Sequence, residues 1–302
     1  HTISLSEDSG LTYTDLFTIT DSKIGEVLVH AIQNANGVLF LRARMKTASV
    51  SYAEEIILRC EKVNGIWDID EVLSVPYTDS NSYVTFEFNW GFSYHKNIVV
   101  VNDYGSQGVA GRIWISQDFG KTFTKILDIY QPPHNTYVNN GHVHGSAYDP
   151  IFNRIWVSTG DGYTNTYVLW SDDLGTTWNR TQVGFKDENG DTHTHTQFVG
   201  IMAFSDFVLF NHDSPRSGVY RYNRGKKEDT PIIEWVADIT DHSKNEIALS
   251  TQYSGVGMAY DDGIYYVSSG WHDAGVAATG VLGKILVSKD GYNWEVFYQD
   301  SV

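Results

Sequence analysis

Apolar residues along this chain come in short runs rather than at helical spacing. Stretches rich in Val, Ile, Tyr, Phe and Trp recur between clusters of Gly, Asn and Asp, the pattern of β-strands separated by tight turns. The pattern predicts an all-β fold. No stretch rich in Pro, Ser or charge divides the 302 residues, and all-β domains of this size are often single. One domain over residues 1–302 is expected.

The runs also repeat. SEDSGLTY (Ser6 to Tyr13), SQDFGKTF (Ser116 to Phe123) and SDDLGTTW (Ser171 to Trp178) all fit S-x-D-x-G-x-T-aromatic, and SKDGYNW (Ser288 to Trp294) is a shorter variant. Each sits between two strand-like runs. Asp and Ser side chains can bond turn amides, Gly takes a conformation that other residues resist, and the aromatic packs under the turn. The motif resembles the Asp-box, or BNR, repeat of sialidase-like β-propellers, where it joins the third and fourth strands of a blade. That resemblance implies a fold and identifies no chemistry.

With the boxes as anchors, five innermost strands fall at blade-sized spacing: Val27 to Gln33, Phe88 to Tyr94, His142 to Tyr148, Phe198 to Phe204 and Ser254 to Tyr260. Blades one and four carry degenerate turns at Asn64-Gly65 and Arg224-Gly225. The first twenty residues make a further half blade. Two arrangements follow: a five-bladed ring with an extra hairpin, or six blades with the last completed by residues beyond Val302. The start at His1 suggests an excised or processed segment.

Composition narrows the function. Twenty-one basic against 37 acidic residues give a net charge of −16, which argues against nucleic acid. No apolar run is long enough for a membrane helix. Cys60 is the lone cysteine, so no disulfide forms within the chain and no thiolate is expected at a site.

In the resembled fold, ligands meet one face, reached by the loops between blades and between second and third strands. The blade assignment puts His134, His193, His195, His212, His242 and His272 in those loops, with His142 and His144 at the start of the third innermost strand. GHVHG and THTHT each place two histidines two residues apart, on one side of an extended chain. His142, His144, His193, His195 and His212 are therefore candidate ligands for Zn, Mn, Fe or Ni. The alternative is that they bond backbone carbonyls and plug the mouth. His30 aligns with His144 in blade register.

The same face carries residues suited to sugars: Trp271, Tyr163, Tyr104, Tyr137 and Tyr253 for stacking, and Asp161, Asp213, Asp273, Arg216, His272, Asn139 and Asn140 for hydroxyls. Trp67, Trp156, Trp178 and Trp294 look structural. Sialidase activity is disfavoured, because Arg42 and Arg44 in LFLRARMK lack the family's Ile-Pro and lie on a second strand. Two other enzyme classes remain. A polysaccharide lyase needs a base and a cation, for which His142, His144, His193, His195 and Tyr253 are candidates, whereas a glycoside hydrolase needs two carboxylates, such as Asp161 and Asp213. The remaining reading is binding alone. Asp-box propellers also form receptor-binding platforms in phage tails, implying a cell-surface glycan partner, an extracellular or virion-surface setting and a longer or oligomeric assembly. About half the acidic excess falls in the face loops. That favours neutral or amino sugars, or a histidine-bound cation that reverses the local field.

Overall fold

The computed structural model describes residues 2–8, 10–19, 26–46, 54–76, 84–105, 111–134, 141–160, 166–183, 185–186, 192–193, 197–212, 218–238, 253–271 and 284–299. Strands β1 (Thr2–Leu5) and β2 (Thr14–Thr18) form an N-terminal hairpin. Blade one holds β3 (Glu26–Ala35), β4 (Val38–Lys46), β5 (Glu54–Val63) and β6 (Ile66–Pro76). Blade two holds β7 (Val84–Phe86), β8 (Phe92–His95), β9 (Ile98–Gly105), β10 (Arg112–Ser116) and β11 (Thr124–Asp128). Blade three holds β12 (His142–Asp149), β13 (Arg154–Gly160), β14 (Val168–Ser171) and β15 (Asn179–Thr181), followed by a small hairpin of β16 (Phe185–Lys186) and β17 (Thr192–His193). Blade four holds β18 (Phe198–Ala203), β19 (Phe207–His212), β20 (Gly218–Asn223) and β21 (Ile233–Asp238). Blade five holds β22 (Tyr253–Asp261), β23 (Ile264–Trp271), β24 (Lys284–Ser288) and β25 (Glu295–Gln299). Each blade is an antiparallel meander in chain order. The described residues contain no helix long and apolar enough to cross a membrane.

The expected inner strands recur, with one difference. Blade two's is split: β7 and β8 both pair with β9, and the chain detours through residues 87–91 between them. Gly91 permits the detour, since a Cβ there would lie 1.7 Å from Asn102 Oδ1.

The Ser116, Ser171 and Ser288 boxes join third and fourth strands as the motif implies, the Ser6 box joins β1 and β2, and their bonding repeats. In the Ser116 turn, Ser116 Oγ donates to Asp118 Oδ1 at 2.7 Å and accepts from Gly120 N at 2.7 Å. Thr122 N and Oγ1 donate to the two Asp118 oxygens at 2.9 and 2.7 Å. The same four bonds recur in the Ser6 and Ser171 turns, and Asn293 replaces Thr in the Ser288 turn. These bonds hold Asp8 at a pKa of about 2. For Asp118, burial pushes the carboxyl up, yet the donated bonds outweigh it and leave it also at about 2. The box glycines have φ between +71° and +96°, where a Cβ is strained.

Blade one uses Asn64 and Gly65, both at positive φ, as a two-residue hairpin turn. In blade four, Arg224 does the turn's tethering instead: it donates to Phe204 O at 2.9 Å and pairs with buried Asp149 of blade three.

Packing runs between neighbours in sequence. Separate apolar clusters join the N-terminal hairpin to blade one, one to two, two to three, three to four and four to five. Buried aliphatic alternation on both sheet faces explains why the strands read as near-continuous apolar runs.

Candidate functional site

The strand register defines the site. In every blade the start of the first strand and the end of the second lie at one end of the sheet. The pairs there are Glu26 with Lys46, Val84 with Gly105, His142 with Gly160, Phe198 with His212 and Tyr253 with Trp271. Tyr104 precedes Gly105. The fold therefore puts Tyr104, His142, His212, Tyr253 and Trp271, from four sheets, at equivalent positions at the same end of their sheets, the mouth end.

Just inside that mouth the pairing skips a residue. The slip falls at His30 in blade one, His144 in blade three, Val199 in blade four and Val256 in blade five, so the expected alignment of His30 with His144 holds. Such bulges re-aim a side chain. In blade three the turned imidazole lies over Gly160, where a Cβ would sit 1.9 Å from His144 Cε1.

His142 and His144 are 4% and 1% exposed, with Nε2 atoms 3.1 Å apart. That contact needs one Nε2–H donor and one bare Nε2. Tyr104 presents its ring to both, with centroids 4.3 Å from His142 and 5.8 Å from His144, and Trp90 stands edge-on to Tyr104 at 6.2 Å. The cluster is braced from behind. Asn102 Nδ2 donates to the His144 carbonyl at 3.4 Å, and Ser146 Oγ donates to Asn102 Oδ1 at 3.0 Å. Asp103 accepts from Gly111 N and Arg112 N at 2.7 Å each and pairs with Arg112 Nε. Burial pushes the Asp103 carboxyl up, and the Arg112 guanidinium pulls against it.

One group here carries no sequence motif. Glu87 sits at the break between β7 and β8, 9% exposed, its N donating to Asn102 O at 3.0 Å and its O accepting from Gly91 N at 2.9 Å. Burial raises its pKa to about 7, opposed by Arg42, reinforced by Glu55 and opposed again by His144. Arg42 belongs to blade one and His144 to blade three. Glu87 therefore lies buried between the Arg42–Glu55 ion cluster of blade one and His144 of blade three. Its sole sequence signal was a charged residue between Phe86 and Phe88, which are themselves buried.

Other candidates divide. His212 is buried, with its ring against Phe198 and Tyr220 at 5.8 and 5.5 Å, and so belongs to blade four's packing. His193 lies on the β16–β17 hairpin, paired with Phe185, not on an inner strand. His134 follows β11, and burial lowers its pKa. Asn139, Asn140, Tyr137, Asp161, Tyr163, His195, Asp213, Arg216, His242, His272 and Asp273 lie outside the described residues. Trp67, Trp156, Trp178 and Trp294 do pack in or against the blade interfaces. Arg42 and Arg44 donate from Nε to fully buried Glu55 at 2.6 and 3.0 Å, and Thr85 Oγ1 donates to the same carboxylate at 3.1 Å. They form an ion cluster between blades one and two. For a metal, the 3.1 Å Nε2 separation of His142 and His144 suits two ligands of one ion, which at bonds of about 2.0–2.1 Å stand about 3 Å apart. No group of three or more His, Cys, Asp or Glu suited to a metal occurs among the described residues.

No family model matches the chain, and no curated protein is similar to it in sequence. Among solved structures, it is similar to a Trypanosoma rangeli sialidase in complex with the inhibitor DANA, with 10% identity and a TM-score of 0.49, covering all of this chain and 52% of that one. It is also similar to a thermostable family-43 glycoside hydrolase, with 10% identity and a TM-score of 0.40, covering 70% and 73%. The chain thus spans about half the sialidase's length. At these values the likeness concerns the outline of the fold alone.

Proposed function

We propose that this chain is a glycan-recognising propeller that seats its ligand at the sheet end where the register places Tyr104, His142, Tyr253 and Trp271. The observation that carries the reading is the strand register, which collects aromatic and imidazole residues from separate blades at one end of the sheets. Aromatic faces stack on the C–H faces of sugar rings, and polar groups beside them bond hydroxyls. The acidic surface selects neutral or amino-bearing sugars over uronates and sialic acid. Calorimetric titration against neutral, amino and acidic oligosaccharides tests this. Binding confined to the first two classes and weakened by Trp271→Ala is expected. Binding confined to acidic sugars, or to none, overturns it.

Glu87 favours a second reading, an enzyme. A buried carboxyl with a pKa of about 7 is half protonated at neutral pH, which suits a general acid. Release of reducing ends, or of unsaturated products absorbing in the ultraviolet, that is lost in Glu87→Gln with binding retained would establish catalysis.

A further inference from the structure

The contact between His142 and His144 has a shape that suits a hydrogen bond poorly. Their Nε2 atoms lie 3.1 Å apart, whereas the ring centroids lie 4.9 Å apart with 38° between the planes. A straight N–H···N bond of that length would line up the two rings and hold the centroids about 5.4 Å apart. The shorter separation means that the rings lean together. Shared equally, the lean turns each Nε2 axis about 40° away from the line joining the nitrogens, and an N–H on that axis would meet its acceptor at about 125°, well short of the alignment such bonds prefer.

The same lean aims both Nε2 atoms at one point beside them. An ion about 2.05 Å from each nitrogen, on the axis of each ring, calls for a centroid separation of about 4.9 Å at this nitrogen spacing. The angle at the ion would be about 100°, between the right angle of a square-planar or octahedral site and the tetrahedral angle. The backbone holds the rings in this pose. The bulge falls at His144, Gly160 leaves room for its ring, and just beyond it Gly145 N donates to Ser158 Oγ and Ser146 N to Trp90 O, each at 3.1 Å. A site arranged before its ligand arrives loses less to ordering. A net charge of −16 also concentrates cations around the chain.

We propose that His142 and His144 chelate one late divalent transition ion, Cu²⁺, Ni²⁺ or Zn²⁺, through their Nε2 atoms at the mouth end of blade three. Neutral imidazole is a ligand that these ions share. Among the described residues the pair belongs to no larger group of His, Cys, Asp or Glu suited to a metal, and two imidazoles suffice for a chelate whose other positions exchange freely.

Chelator-treated protein without an affinity tag, titrated calorimetrically with CuCl₂, NiCl₂, ZnCl₂ and CaCl₂, tests the site. No sugar is present, so failure here leaves the glycan reading standing. One ion per chain is expected at the tightest site, with Cu²⁺ bound more tightly than Ni²⁺ or Zn²⁺ and Ca²⁺ not bound. His142→Gln and His144→Gln should each weaken binding at least tenfold. His95→Gln, at the far end of blade two, should leave it unchanged. A second measurement needs no variant: the electron paramagnetic resonance spectrum of the unmodified chain, loaded with half an equivalent of Cu²⁺, should show coupling to two imidazole nitrogens. Four results overturn the proposal: no saturation below about 1 mM of any of the three ions; affinity unchanged in both pair variants, or reduced as much in His95→Gln; binding kept in His144→Gln and lost in His193→Gln or His195→Gln; or coupling to a single nitrogen.

Discussion

The outer turns and the inner mouth of this molecule are built on opposite plans. On the outside, four box turns repeat one set of hydrogen bonds with distances that agree within a few tenths of an ångström. At the inside, register-equivalent positions hold His30, a broken strand with Glu87, His144, Val199 and Val256. Repetition marks one local solution to closing a hairpin, used wherever a box is present, and divergence marks the end of the sheets where the proposed ligand would make different demands on each blade.

The strongest attempt to break that contrast is Glu87→Gln. A carboxyl whose native pKa lies above its unfolded value binds its proton more tightly when folded. Its contribution is full below about 4.5 and is lost as pH rises through about 7. Gln imitates the protonated form, so the variant should match the parent at pH 4 and exceed it at pH 8 by up to about 3 kcal/mol. Urea unfolding at both pH values measures this, and equal stability at pH 8 would mean that the inner edge is as well solvated as the outer turns.

Gly160→Val comes next. Its side chain would enter the space of the His144 ring, and overpacking of this kind costs about 2 kcal/mol. Glycan binding should fall with it, whereas a variant that binds normally would show that the imidazole is not held for a ligand.

The repeated side is sharpened by comparing two boxes. Asp118→Ala breaks a turn wedged against blade one and should cost about 1 kcal/mol in global unfolding. Asp8→Ala breaks the same bonds in a turn exposed on its far side and should change only local amide exchange. Identical global losses would mean that the bonds, and not the seam, carry the stability.

The smallest effect is expected at Tyr104. Removing one ring from the mouth with Tyr104→Ala should weaken glycan binding about fivefold, the worth of a single aromatic contact, and Tyr104→Phe should restore most of it.

Much of the scaffold was legible in the sequence because its logic is local. A box needs its Ser, Asp, Gly and Thr within seven residues, and strand alternation is written along the chain. His142 and His144 were legible for the same reason, being two apart on one strand. What escaped was whatever depends on contact between blades. Glu87 matters because a strand breaks beside two other blades, and Arg224 because it reaches Asp149, which lies 75 residues away. His212 was expected in a face loop, whereas it ends β19 with its ring against Phe198 and Tyr220, an orientation that spacing does not encode.

The chain of clusters between successive blades sets the way this molecule gains and loses structure. With each described core joining only neighbours in the amino-acid sequence, its free energy behaves as a one-dimensional sum of nearest-neighbour couplings. A blade leaving the ribosome finds its partner already made, so consolidation can proceed in the order of synthesis without waiting for distant segments. Among the described residues the core that holds the imidazole pair is shared with a neighbour on either side, so loosening one seam leaves the other to hold it.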